Sequence, residues 1–268
     1  MSQPDPDLPH IEFGGERRYL ARLAPRADFG GLPKYAAAQG LIPRAEWYET
    51  PLGNYGARIL NQGRQGSCTG HASASATEIQ WLRQGGQPVP FSACWIYGLI
   101  NGGRDAGAVV SDAMRAVQDY GVCTEAEVPP GTIHQRQFPP SAKVVAAKYK
   151  VKAAYHCDSF DAIATAILRG YTVAHGITVG SDYANLDRNG VAPLVRIPAG
   201  GHAQCSYALR KIAGEWMLAT QNSWGVEFGI GGMCYLRERH FDPPGRVDAF
   251  AVEVVDPTQD NDFPPPMQ

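Results

Sequence analysis

The spacing of apolar residues changes once along this chain, from that of helices to that of strands. Of all the sequence features, this change restricts the possible folds most strongly. Before residue 170, three segments have apolar residues at three- and four-residue steps, as amphipathic helices do: 67–84, 111–120 and 160–168. After it, the pattern turns to that of strands, in five segments: 171–179, 203–211, 215–221, 233–237 and 249–255. Helices followed by a β-rich half predict an α+β fold.

Length and charge exclude several classes of function. The 268 residues suffice for one large domain or for two halves that share a cleft. The formal net charge is −2 and no run of Lys or Arg forms a basic patch, so we expect no nucleic-acid partner. No apolar run reaches the ~20 residues that a bilayer-spanning helix needs, so we expect no membrane partner either.

The two ends of the chain differ in composition from its middle. Residues 1–40 are rich in Pro, Gly and charge, and only 18–23 predict a short helix there. The proline-rich tail 256–268 is predicted to be disordered. Residues 1–7 are polar and acidic and lack the basic start and apolar stretch of a secretory signal. We therefore expect a cytoplasmic protein, or one associated with a virion assembled inside a cell.

The cysteines are spaced as isolated thiols. None forms a C-x-x-C pair, which argues against a structural zinc site. Because no secretory signal is apparent, we expect free thiols rather than disulfides. No residues have the spacing of metal ligands, and we expect neither a metal nor a cofactor. The six cysteines are Cys68, Cys94, Cys123, Cys157, Cys205 and Cys234.

Residues 61–72 contain a candidate nucleophile. Ser67 is a plausible N-cap, which places Cys68 in the first turn of a helix. There, unpaired backbone N–H groups and the helix dipole favour the thiolate, which is the nucleophilic form. Gln62, on the preceding loop, can donate a side-chain N–H to an oxyanion, and the backbone N–H of Cys68 supplies a second donor.

Residues 200–229 contain the matching base. A thiol nucleophile needs a proton acceptor within hydrogen-bond reach, and His202 is the candidate. The oxygen of the Asn222 side chain can accept from the imidazole and fix its ring and tautomer. Trp224 lies two residues later and can cover that hydrogen bond.

Four short blocks in these two segments resemble the signature blocks of the papain family of cysteine peptidases, in the form found in bacterial and viral members. His202 follows Cys68 by 134 residues, within the interval of about 130 to 150 described for the histidine. The resemblance covers about residues 41–255. The blocks are Gln62-Gly63, Gly66-Ser67-Cys68, Gly201-His202-Ala203 and Asn222-Ser223-Trp224-Gly225.

This resemblance implies a papain-like two-lobed fold. A helical lobe headed by the Cys68 helix would face an antiparallel β-barrel lobe that carries His202 and Asn222, with the substrate extended in the cleft between them. Cys68 would be the nucleophile, His202 its base, Asn222 the orienting residue and Gln62 the oxyanion donor.

The resemblance also implies substrate contacts and domain limits. Gly107, Gly201 and Trp224 are the predicted substrate-binding residues. The peptidase domain would span 41–255. Residues 1–40 would form an N-terminal extension, as a short pro-segment, a docking arm or a disordered stretch.

Three functions are compatible with this pattern. The first is a cysteine endopeptidase, which hydrolyses peptide bonds of a peptide or protein substrate through a thioester acyl-enzyme. The second is a transpeptidase or amidase on peptidoglycan stems or small peptides, in which an amine resolves the thioester. The third is a structural or binding module of the same fold, for example in a viral particle. The complete set of catalytic residue types argues against the third.

Some residues resemble site residues but have ordinary interpretations. His71 lies three residues beyond Cys68, and we interpret it as a core or interface histidine. Cys94 precedes an aromatic residue but has no oxyanion-hole glutamine at the right distance, so core packing is preferred. Asp105 and Asp112 are predicted to be solvated or capping residues.

Overall fold

The computed structural model describes residues 7–241, 247–253 and 255–256. Four short 3-10 turns accompany the regular elements. The helices are α1 (Tyr35–Gln39), α2 (Cys68–Arg83), α3 (Ala93–Ile100), α4 (Val110–Asp119), α5 (Pro140–Ala146) and α6 (Phe160–Leu168). The strands are β1 (His10–Phe13), β2 (Glu16–Tyr19), β3 (Lys150–Val151), β4 (Ala154–His156), β5 (Thr172–Gly180), β6 (Pro198–Ile212), β7 (Glu215–Gln221), β8 (Met233–Arg237), β9 (Asp248–Val252) and β10 (Val255–Asp256).

An antiparallel sheet of six strands dominates the second half of the chain. Its strand order is β4-β9-β5-β6-β7-β8. Strand β6 pairs with β5 through Ile177 and His202, and with β7 through Cys205 and Gln221. Asn222 directly follows β7, so this register brings it next to His202 on the neighbouring strand.

Two hydrophobic cores lie on opposite faces of this sheet. The first contains α2, α3 and α4 together with Ala174 and Cys205. The second contains α6 together with Val173 and Leu209. Neighbouring strand residues such as Val173 and Ala174 face opposite sides, and this alternation divides the apolar residues between the two cores.

Helix α2 lies between helices α3 and α4 and the sheet. Almost all of its residues are buried, and it packs against β5, β6, α3 and α4. Small side chains permit this close approach. A Cβ atom added at Gly70 would lie 2.5 Å from the carbonyl oxygen of Ala93 in α3. Cys68 therefore begins a helix that is packed against other elements on almost all sides.

The predicted α+β order is confirmed, and helices α2, α4 and α6 lie where the periodicity predicts them. The short helix predicted at 18–23 is wrong, because residues 18–19 belong to β2 and the chain beyond them is extended. The predicted disordered tail lies outside the described residues, apart from the backbone of Asp256. Helices α3 and α5 and the short strands β1 to β4 were not anticipated from the sequence.

Candidate active site

Cys68 is the first residue of α2, as the sequence predicts. Ser67 is the N-cap residue, although its side chain makes no capping hydrogen bond. The Cys68 thiol is fully buried, and burial raises its pKa. The nearby backbone N–H groups of Ala203 and Ala21, the hydroxyl of Thr69 and the positive charge of Arg22 all oppose this rise.

His202 is held by the side chain of Asn222. The His202 Nε2 atom donates to Asn222 Oδ1 at 2.7 Å, and the backbone N–H of Ser223 donates to the same oxygen at 2.8 Å. The indole of Trp224 covers this pair, with its ring centroid 4.9 Å from that of His202. Burial lowers the pKa of His202 to about 4, and the hydrogen bond with Asn222 opposes that shift.

The thiol of Cys68 is at the start of α2 and the imidazole of His202 is on β6, and these two elements pack against each other. The backbone amide that supports the Cys68 thiol belongs to Ala203, the residue next to His202. His202 Nδ1 is the ring nitrogen that Asn222 leaves free, and it has no hydrogen-bond partner among the described residues. It is therefore the nitrogen that is available to exchange a proton with a thiol.

The Gln62 side chain is oriented by a residue that the sequence analysis did not single out. Ser223 Oγ donates to Gln62 Oε1 at 2.7 Å, which turns the amide nitrogen away from Ser223. Gln62 Nε2 donates to the carbonyl oxygens of Gln65 at 2.8 Å and Tyr19 at 3.2 Å. The only signal for Ser223 was its place between Asn222 and Trp224.

Residues 18–23, hereafter the cleft segment, lie across the site as an extended peptide. The Arg22 N–H donates to the carbonyl of Gly201 at 3.0 Å. Ala108 binds the segment with both of its backbone groups: its N–H donates to Ala21 at 3.1 Å, and its carbonyl accepts from Leu23 at 2.9 Å. The cleft therefore binds main chain in the manner of a β-ladder.

Two of the three predicted substrate-binding residues line this peptide. Gly107 has a positive φ of 91°, and a Cβ atom there would lie 2.0 Å from the carbonyl oxygen of Ala21. A Cβ atom at Gly201 would lie 2.4 Å from the carbonyl oxygen of Arg22. Glycine at both positions lets a peptide backbone come close. Trp224 is buried beneath Phe13 and His202, and a substrate contact there stays a prediction.

Asp105 organises both walls of the cleft, and the prediction that it is solvated or a cap is wrong. It is 5% exposed, and its Oδ1 atom accepts from the backbone N–H of Gly66 at 2.9 Å and from Tyr97 Oη at 2.8 Å. The Gly107 N–H in turn donates to Tyr97 Oη at 3.0 Å. This network joins the loop before Cys68 to the loop that binds the cleft segment.

The remaining candidates have structural contacts. His71 is buried and its Nδ1 atom lies 2.9 Å from the carbonyl of Ser67, in agreement with a core histidine. Asp112 forms an ion pair with Arg26 at 2.7 Å near the surface. All six cysteines are buried free thiols, as predicted. Within 7–241 and the short described stretches after it, no cluster of three potential metal-ligating side chains exists.

The class of protein follows from this arrangement. A thiol at the start of a buried helix, an imidazole oriented by an amide oxygen and a side-chain amide donor on the loop before the thiol define a thiol hydrolase. A sequence profile described as papain family cysteine protease matches residues 46–243. The chain belongs to the papain family of cysteine peptidases, and it is a hydrolase with a peptide or protein substrate.

Comparison with individual proteins agrees with this assignment. An uncharacterized peptidase C1-like protein of Acanthamoeba polyphaga mimivirus is 25% identical over 225 residues, which are 75% of this chain and 72% of that protein. Xylellain, a cysteine protease from Xylella fastidiosa, has a TM-score of 0.64 at 21% identity, with 87% of this chain and 91% of that chain covered. A procathepsin B from Trypanosoma congolense has a TM-score of 0.66 at 16% identity, with 87% of each chain covered. The two solved structures confirm the papain-like fold.

No helix in the described part of the chain is long and apolar enough to cross a membrane.

Proposed function

We propose that this chain is a cysteine endopeptidase that hydrolyses internal peptide bonds through a thioester. One observation carries the proposal: an extended peptide, the cleft segment, lies over Cys68 and is bound by backbone groups on both sides. The bound main chain runs continuously from Tyr19, at Gln62, to Leu23, at Ala108. A cleft that accepts main chain continuing past the site suits cleavage within a chain rather than at its end.

The proposed reaction uses the side chains in the roles that their positions permit. The Cys68 thiolate attacks the carbonyl carbon, and Gln62 Nε2 with the Cys68 backbone N–H stabilises the oxyanion. His202 then protonates the leaving amine as the C–N bond breaks, which leaves a thioester on Cys68. Water, deprotonated by His202, attacks the thioester and releases a carboxylic acid and the thiol. Asn222 keeps the His202 ring in place throughout.

We further propose that the cleft segment acts as a pro-segment rather than as a docking arm. The backbone N–H of Ala21 lies near the Cys68 thiol and opposes the rise of its pKa. The oxyanion donor Gln62 is occupied by the carbonyl of Tyr19, two residues earlier. The segment thus fills the site and binds the oxyanion donor, and it must leave before a substrate can bind.

Labelling with a thiol-directed epoxide tests the catalytic assignment. The full chain is expected to be labelled slowly on Cys68, and Cys68→Ala is expected to lose the label while keeping the thermal stability of the wild type. Cys94→Ala, which removes another buried thiol, is the matched control and is expected to retain the label. Labelling of folded Cys68→Ala at the wild-type rate would refute the assignment. Cleavage of an unfolded protein substrate at internal bonds, read by mass spectrometry, tests endopeptidase activity.

A further inference from the structure

We infer that Asp105 is a positioning residue of the oxyanion hole, which acts on Gln62 through the peptide unit between residues 65 and 66. Through Tyr97, the same carboxylate also holds Gly107 in the wall that binds main chain. This inference rests on the proposed peptidase function and adds to it a residue that lies outside the reacting groups.

The peptide unit between Gln65 and Gly66 is bound at both of its polar groups. Its carbonyl oxygen accepts from Gln62 Nε2 at 2.8 Å, and its N–H donates to Asp105 Oδ1 at 2.9 Å. Because a peptide unit is planar, these two groups cannot turn independently of each other. By fixing the N–H, Asp105 therefore also fixes the direction of the carbonyl to which the Gln62 amide is bound.

The bond from Gln62 to Gln65 sets where the oxyanion donor points. The amide nitrogen of Gln62 carries two hydrogens. One donates to Gln65, and the other donates to the carbonyl oxygen of Tyr19 in the cleft segment at 3.2 Å. When the segment leaves, the second hydrogen becomes available to an oxyanion, while the first stays bound. Ser223 holds the oxygen end of the same amide, so the Gln65 carbonyl is the contact that directs its nitrogen end.

A second branch leads from the same carboxylate oxygen to the wall of the cleft. Tyr97 Oη donates to Asp105 Oδ1 at 2.8 Å and accepts from the Gly107 N–H at 3.0 Å. Gly107 precedes Ala108, whose N–H and carbonyl bind the cleft segment. The oxyanion donor and the wall that binds main chain thus share one anchor.

The environment of Asp105 supports this role. Its side chain is buried, both donors converge on Oδ1, and Oδ2 has no hydrogen-bond partner in the part of the chain that the structure describes. In the same part of the chain, no Lys or Arg forms an ion pair with it, and its donors are the neutral groups of Gly66 and Tyr97. Burial raises the pKa of Asp105, and these two hydrogen bonds oppose the rise. A buried carboxylate without a cation is costly, and the one at Asp105 provides a single oxygen that holds two loops in fixed positions.

The first test measures kcat and KM of the full chain on a fluorogenic peptide. Arg22→Met is present in every variant, so that the cleft segment competes less with the peptide. We expect Asp105→Ala to lower kcat about tenfold, the lower end of the range for a hydrogen bond to a charged group. Asp105→Asn keeps an oxygen that can accept from both donors, and it should recover most of the lost kcat. A cooperative thermal transition checks that each variant is folded.

A double variant separates positioning from a general loss of structure. Gln62→Ala removes the group through which Asp105 is inferred to act. In that background, adding Asp105→Ala should lower kcat less than about twofold, because the oxyanion donor is already absent. A tenfold loss of kcat in both backgrounds would overturn the inference.

The two branches should separate in the kinetic constants. Tyr97→Phe removes the bond to Gly107 and leaves the bond from Gly66 to Asp105, so we expect KM to rise about fivefold at nearly unchanged kcat. Tyr155→Phe is the matched control, because it removes a hydroxyl that donates to Glu253 at the edge of the sheet, and both constants should stay unchanged. A loss of kcat at constant KM in Tyr97→Phe would contradict the separate branch.

A measurement without turnover keeps this inference distinct from the proposed function. In the full chain with Cys68→Ala, NMR measures proton exchange of the Gln62 side-chain amide. Asp105→Ala should accelerate this exchange about tenfold, whereas Tyr97→Phe should accelerate exchange only at the Gly107 amide. Faster exchange at Gln62 in Asp105→Ala supports the inference even if the chain never cleaves a peptide. Unchanged exchange there in the folded variant refutes it even if the chain is an active peptidase.

Discussion

Removing the charge of Arg22 should open the cleft. The cleft segment is held by a few backbone hydrogen bonds, by a hydrogen bond from Arg18 Nη1 to Asn61 Oδ1 at 2.8 Å and by a buried ion pair, Arg22 to Asp248 at 3.3 Å. Arg22→Met keeps most of the aliphatic stem and removes only the guanidinium, so the backbone contacts of the segment are retained. The variant therefore isolates the contribution of the charge.

The expected magnitude follows from the environment of this ion pair. A hydrogen bond to a charged group contributes about 1.5–3 kcal/mol, and losing one partner of a fully buried pair costs about 3–5 kcal/mol. The lower range applies here, because the contact is long and burial raises the pKa of Asp248 to about 6, so that the unpaired carboxyl can take up a proton. A loss of ~1.5–3 kcal/mol raises the open fraction about 10- to 100-fold.

The assay is the rate at which a thiol-directed epoxide alkylates Cys68 in the full chain, followed by intact mass. At limiting reagent this rate is proportional to the fraction of molecules with an open cleft, so Arg22→Met should react about 10- to 100-fold faster than wild type. Arg26→Met is the control: Arg26 is 58% exposed, its ion pair with Asp112 lies at the surface, and less than a threefold change is expected.

Two results would refute this reasoning. One is an identical alkylation rate in wild type and folded Arg22→Met. The other is an equal acceleration by Arg26→Met, which would mean that total charge rather than the buried contact holds the segment. A double variant adds a further check, because Arg22→Met and Asp248→Asn remove the same contact and their combined effect should be smaller than the sum of the separate effects.

Further predictions concern the oxyanion donor and the effect of pH. Gln62→Ala should lower kcat by ~10²–10³ at nearly unchanged KM, measured on a fluorogenic peptide. Ser223→Ala should lower kcat about fivefold, because one hydrogen bond of ~1 kcal/mol no longer orients the Gln62 amide. Acid should favour the open cleft. Burial under the cleft segment lowers the pKa of His202 to about 4, so the open state binds more protons between about pH 4 and 6.5. Hydrogen exchange of residues 18–23, corrected for its intrinsic pH dependence, should therefore accelerate from pH 7 to pH 5; constant protection would contradict the sign.

The sequence predicted the parts of the site that depend on local structure. Cys68 begins a helix because its periodic apolar residues and flanking residues favour one there, and Gln62 lies on the loop before it. His202 and Asn222 needed the strand pattern and the family resemblance, since they meet only through the pairing of β6 with β7. These residues lie where they were predicted, although their catalytic roles stay predictions.

The cleft segment shows what the sequence alone did not reveal. The run Arg-Tyr-Leu-Ala-Arg-Leu at 18–23 consists largely of residues with good helix propensity, so a local argument favours a helix. Its backbone groups bind instead to Ala108 and Gly201, which are distant in sequence. Asp105 and Asp248 escaped notice for the same reason, because the groups that explain their burial come from other parts of the chain.

The pro-segment role that we propose for the cleft segment has an electrostatic component besides the steric one. With the cleft segment in place, Cys68 and His202 are both completely buried, and burial raises the pKa of the thiol while it lowers that of the imidazole to about 4. Both shifts favour the neutral pair over the thiolate–imidazolium pair that attacks a carbonyl. When the segment leaves, water reaches the same two groups and reverses both shifts. In the role that we propose, the segment blocks the substrate, excludes the water that deacylation requires and holds the nucleophile in its unreactive form, and its departure removes all three barriers together.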